Sequence, residues 1–197
     1  QNRSADSTSL GSAYVIKRVN NLSQPDDILV ASYVGRPETQ DEFNRNLFML
    51  ADYYNAKIGF ENDRGEVIAY AKRHRKLHRL QREFEMLDKK ELQSRRVRRS
   101  YGMHMTQARK QQGEIYIRDW LNSARGVESE GKESLNLHKI YDPALLQELI
   151  KFNHKGNFDR VMSLMIAMYH SRELYNAEVK NIYEDRSTDD FFNRQMF

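Results

Sequence analysis

The sequence predicts an α/β domain in which helices pack on a sheet, and three patterns carry that expectation. Two segments rich in β-branched and aromatic residues, Ala13 to Val19 and Ile28 to Val34, have the composition of strands. A helix, a short apolar run and a second helix then follow in quick succession between Thr39 and Leu77. A third pattern is a late segment, Phe158 to Tyr175, that is apolar nearly all round and therefore reads as a core helix.

The first two strands are separated by Asn20 to Asp27, whose Asn-Asn and Pro-Asp-Asp signals suit a long hairpin loop, so antiparallel pairing is expected. Thr39 and Glu42 have capping-box spacing and should start a helix, in which Phe43, Leu47, Leu50, Ala51 and Tyr54 make one apolar stripe. Asn55 can end that helix. Lys57 to Phe60 then reads as a short buried strand that delivers Glu61 at its carboxyl end, followed by a helix over Glu66 to Leu77.

Residues 79–112 form a basic excursion, in which Arg79 to Arg99 is helix-compatible but offers few residues for a core face. Met103 to Ala108 and Glu114 to Leu121 resume mixed apolar patterning, Glu128 to Glu133 reads as an exposed loop, and Leu135 to Ile140 as a strand or edge segment. Asp142 and Pro143 supply an N-cap and first-turn proline for a helix carrying Leu145, Leu146, Leu149 and Ile150, and Gly156 breaks the chain before the core helix. One domain over residues 1–180 is expected, with 181–197 as an acidic-aromatic tail, disordered or docking.

Composition narrows the chemistry. The chain has no cysteine, so a metal must be held by oxygen or imidazole ligands. No apolar run approaches the roughly 18 residues of a membrane span. The net charge of +4 is modest, yet residues 72–112 carry fourteen Lys and Arg against four acids. Such a segment could meet phosphates or could be a solvated arm. No P-loop pattern occurs, so the chain holds no phosphate cradle of that kind.

Phosphodiester hydrolysis needs an activated water and a neutralised leaving oxygen, and two hard divalent ions about 4 Å apart, held by carboxylates, supply both. In an α/β layer such carboxylates belong at strand ends and adjacent helix starts. Glu61 fits the first place and Asp159, in the first turn of the core helix, fits the second. Taken singly, Asp159 reads more readily as dipole compensation and Glu61 as a turn acid. His154, Lys155 and His170 read as helix-end residues, and Tyr101 and Trp120 as packing residues.

The run IGFENDRGEVI (Ile58 to Ile68) after an amphipathic helix resembles the segment of phage terminase large subunits in which a strand delivers a catalytic Glu. NFDRVMSLMIAMYH (Asn157 to His170) looks like the helix of that family led by a metal-binding acid, and LLQELIKF (Leu145 to Phe152) resembles the helix before it. SADSTSLGSAYVIKR (Ser4 to Arg18) is similar to the loop and strand after the family's first catalytic strand, which places Asp6 where an acid often helps hold metal.

The resemblance implies an RNase H-like mixed sheet flanked by helices, lacking its first strand and interrupted by the charged excursion. It also implies Mg²⁺- or Mn²⁺-dependent cleavage of double-stranded DNA during phage genome packaging, with two ions held by Glu61, Asp159 and Asp6. Arg109, Lys110 and Lys155 are its implied DNA contacts. The family's first catalytic Asp would lie upstream of Gln1, as would an ATPase motor domain of the same full-length chain. Portal protein and small terminase subunit are the implied partners, and the cytoplasm of a bacterial host the location. A non-catalytic packaging scaffold and a resolvase-type nuclease are the alternatives that share the fold.

Overall fold

The computed structural model describes residues 11–17, 28–62, 65–82, 101–127, 131, 133–153 and 156–172. Asp6, His154, Lys155, the tail 181–197 and residues 83–100 of the excursion lie outside them. Within the described residues the chain is a mixed α/β structure with small antiparallel sheets and five α-helices. None of those helices is long and apolar enough to cross a membrane.

β1 (Gly11–Lys17) and β2 (Ile28–Gly35) pair antiparallel from Gly11 against Gly35 to Lys17 against Ile28, as the hairpin signals suggest, with an irregularity between Val15 and Ile16. α1 (Gln40–Tyr53) starts where the capping residue places it, and the Thr39 side chain accepts from the Glu42 N–H at 3.2 Å. Its buried face is Asn44, Phe48 and Ala51, rotated from the expected stripe. The reason is that α1 has two partners. Phe43 stacks on Tyr33 of β2, while Phe48 stacks on Tyr70 of the next helix.

The helix expected over Glu66 to Leu77 is shorter. α2 (Glu66–Arg73) stops because Arg75 turns left-handed, with φ of 56°, and a 3₁₀ turn over Leu77–Arg79 follows. Both α1 and α2 end in the same motif. Ala56 N–H donates to Ala51 O and Lys76 N–H to Ala71 O, each spanning a left-handed residue, Asn55 in one and Arg75 in the other.

The segment after α1 is tied in on both sides. Ile58 pairs parallel with Leu80, and Glu61 pairs parallel with Met103. Leu80, in the stretch read as offering few core residues, and Met103, where apolar patterning resumes, are thus core residues at 4% and 3% exposure. α3 (Gln107–Leu121) is capped by Thr106 and leads to a hairpin, β3 (Ala124–Val127) with β4 (Glu133–Leu135).

Beyond Leu135 the expected strand gives way to a 3₁₀ turn, Asn136–Lys139. Buried Asn136 is the cause: its amide donates to Trp120 O and accepts from Arg125, so side-chain bonds replace a ladder. α4 (Pro143–Lys151) has the anticipated cap, with Asp142 accepting from the N–H groups of Ala144 and Leu145. α5, residues 159–172 as described, is the core helix the sequence indicates: Val161, Leu164, Met165 and Met168 are all buried.

Two apolar clusters result. One joins Phe48, Ala51, Ile58, Phe60, Tyr70, Ala71 and Leu80. The other gathers α3, α4 and α5 around Leu145, Leu164 and Met165, with Met103 and Met105 at its margin. Gly113 of α3 lets Met165 and Tyr169 of α5 approach closely. Tyr116 then packs on Tyr169 and Asp119 reaches Arg172, so the two helices run in the same sense through this contact.

Candidate functional site

Glu61 stands in a segment whose backbone is fixed on either side. Met103 N–H donates to Phe60 O and Asn62 N–H to Met103 O, both at 2.9 Å. The Asn62 amide adds a bond to Tyr101 O at 2.9 Å. Glu61 itself is half-buried. Its position is therefore set by backbone pairing to a segment some forty residues downstream, which the local sequence does not reveal.

Asp159 is the first helical residue of α5 and is also half-buried. The Ser12 hydroxyl of β1 donates to Asp159 O at 2.7 Å, and the Ser163 hydroxyl donates to Ser12 O at 2.8 Å. The start of α5 is thus pinned to β1. The N–H groups of Arg160 and Val161 are taken by the Glu148 carboxylate of α4, at 3.0 and 3.4 Å. Glu148 is the cap of α5 across a gap in sequence, so dipole compensation at this helix does not fall to Asp159 alone.

A polar network locks the same corner. Arg160 pairs with Glu148 at 3.0 Å and with Asp142 at 3.5 Å, and the Tyr14 hydroxyl donates to Asp142 at 2.7 Å. Burial opposes the charge on Asp142, but the Tyr14 hydroxyl, two backbone N–H groups and Arg160 together hold its carboxyl below the ordinary value. Burial likewise disfavours the Arg160 charge, yet Glu148 and Asp142 raise its pKa. Burial and the adjacent Asp142 push the Tyr14 hydroxyl well up. No local pattern announced this network, because its members are separated by up to 146 positions.

The elements bearing the two acids touch. His170 of α5 packs on Gly59, where any Cβ would collide with the imidazole, and both line a small hollow with Phe60, Gln81, Arg82 and Met103. That contact lies about three turns, roughly 16 Å, from Asp159 along α5, and two residues before Glu61. Burial lowers the His170 pKa to about 4. The histidine is therefore a half-buried packing residue in this contact, not the helix-end surface residue its position suggested.

The expected DNA contacts Arg109 and Lys110 are half-buried in the first turn of α3. The Arg109 guanidinium folds back on His104 O, and Tyr169 donates to Arg109 O at 2.7 Å. No acid stands in that first turn, so two cations sit at the positive end of a helix. Trp120 is in the core, as expected. Among the described residues no group of three or more His, Cys, Asp or Glu side chains could hold a metal ion, and Asp6 lies outside them.

No family model, curated protein or solved structure matches this chain.

Proposed function

We propose that the chain is a metal-dependent endonuclease domain of RNase H-like fold, cleaving double-stranded DNA in phage genome packaging. The observation that carries this reading is the packing of α5, which begins at Asp159, onto the segment that delivers Glu61, through His170 and Gly59. Glu61, on a segment held by isolated bridges and not by a continuous strand, and Asp159, roughly 16 Å along α5 from the contact, then belong to elements that pack on each other.

The donor chemistry fits Mg²⁺ or Mn²⁺, which take carboxylate oxygens and keep several waters. Glu61 and Asp159 would hold the ions, with Asp6 as the further ligand. Bound ions would activate water and neutralise the leaving oxygen. Lys110 and Arg109, in the first turn of α3, and Lys155 would contact phosphates. The same reading joins the chain to an ATPase motor, portal protein and small terminase subunit in a bacterial host.

The test is plasmid cleavage in Mn²⁺ by the full chain. Glu61→Ala and Asp159→Ala are each expected to lower the rate by about 100-fold or more, the loss typical of removing a group that stabilises the transition state, with urea midpoints close to the parent's. Parental cleavage by both variants would sink the assignment.

A further inference from the structure

Residues 72–79 read Lys-Arg-His-Arg-Lys-Leu-His-Arg and run from the last residues of α2 through the 3₁₀ turn. Buried Ala71 and Leu80 bracket it, at 0% and 4% exposure, while Lys72, Arg73, His74, Arg75 and His78 are exposed. Lys57 joins the group by donating to His78 O. Five Lys and Arg of this segment, with Lys57 from the segment after α1, thus form one basic group.

Two acids face them. Asp41 pairs with Arg73 at 2.6 Å, and Asp52 holds Lys76 at 2.6 Å and Arg79 at 2.9 Å. These contacts orient the turn without neutralising it. Lys72 and Arg75 make no side-chain ion pair among the described residues. A merely solvated face mixes both signs, whereas here the acids occur only as clamps.

Arg75 adds an independent observation. It occupies the left-handed position that ends α2, with φ of 56°, a conformation that β-carbon-bearing residues rarely adopt. The matching position at the end of α1 is Asn55, the residue type suited to it. A long, exposed cation is thus held where backbone geometry favours Gly or Asn.

We infer that this turn, with Lys57, docks the phosphate backbone of duplex DNA. The choice of duplex rests on the proposed function; the polyanion chemistry rests on the turn itself. Ile58 N–H donates to Arg79 O, and Glu61 is three residues further on, roughly 10 Å. A duplex lying on the turn therefore passes within one helical repeat, roughly 34 Å, of the carboxylate.

The experiment is fluorescence anisotropy of a labelled 20-bp duplex with the full chain in EDTA, so that binding is read without cleavage. Arg75→Gly suits the backbone and tests the charge without threatening the fold. Combined with Lys72→Gln it is expected to weaken binding by about ten-fold or more and to reduce the slope of log K against log salt by about 1 to 2. Arg45→Gln, an exposed cation on α1, is expected to leave that slope within about 0.5 of the parent's. Unchanged affinity and slope in the double variant would overturn the inference, as would binding to anionic phosphatidylserine vesicles in preference to the duplex. Glu61→Ala is expected to bind like the parent in EDTA. Loss of binding in the turn variant beside parental cleavage by both Glu61→Ala and Asp159→Ala would leave the surface standing and remove the nuclease reading.

Discussion

The imidazole of His170 titrates from inside the contact between α5 and Gly59, with Arg82 lining the same hollow. An unfolded histidine takes up its proton near 6.5, while in the folded chain burial defers this to about 4. Between those values the unfolded state binds more protons, so stability rises with pH. The contribution is complete above about 6.5 and is lost as pH falls toward 4, amounting to at most about 3 kcal/mol. Urea midpoints measured from pH 7 to pH 4.5 should fall accordingly, and His170→Gln should flatten the curve; an equal slope in that variant would assign the effect elsewhere. Glu148 offers a second residue-level expectation. Its removal frees two backbone N–H groups and one face of Arg160, so Glu148→Ala should cost about 2 to 3 kcal/mol and Glu148→Gln about half as much, read from the same denaturation curves.

At the scale of elements, the two helix ends that turn left-handed respond differently from the loops that need glycine. Arg75→Gly relieves a conformation costing about 1 to 2 kcal/mol and should raise stability by about 1 kcal/mol after the glycine's own entropy is counted. Gly102, at φ of 75°, faces Phe60: a Cβ there would meet the Phe60 carbonyl oxygen at 2.9 Å and the ring at 2.8 Å. Gly102→Ala should therefore cost more than about 2 kcal/mol, and a midpoint within error of the parent would contradict the geometry. These ends also mark what the sequence could disclose. Thr39, Asn55, Asp142 and Pro143 act on neighbours within a few residues, so α1 and α4 were legible, as was the all-round apolar α5. Arg75 carries no turn signal, hence the overlong α2. The β3–β4 hairpin depends on Asn136 reaching Trp120 and Arg125, and Leu80 and Met103 enter the core by pairing across a long segment. Long-range pairing leaves no periodicity to read. The same limit applies to the candidate site: Glu61 and Asp159 could be named singly, but the network that fixes the start of α5 could not.

For the molecule as a whole, the two apolar clusters meet where Phe60 and Met103 share a backbone bond and His170 closes on Gly59. Glu61 belongs to the segment of the first cluster and Asp159 to the leading helix of the second. An ion held by both carboxylates would therefore tie the clusters together, and a ligand that binds the native state stabilises it by about 2.7 kcal/mol at one hundred times its dissociation constant. A polyanion on the basic turn touches the first cluster alone. Native-state hydrogen exchange separates these effects, since each cooperative unit reports its own opening free energy. Mn²⁺ should slow exchange in α2 and in α5 alike, by up to about a hundred-fold, and the effect should vanish with either Glu61→Ala or Asp159→Ala. Duplex DNA in EDTA should protect α2 and residues 77–82 more than α5. Protection by Mn²⁺ that stops at one cluster would mean that the two carboxylates do not share an ion, whatever the order of elements along the chain suggests.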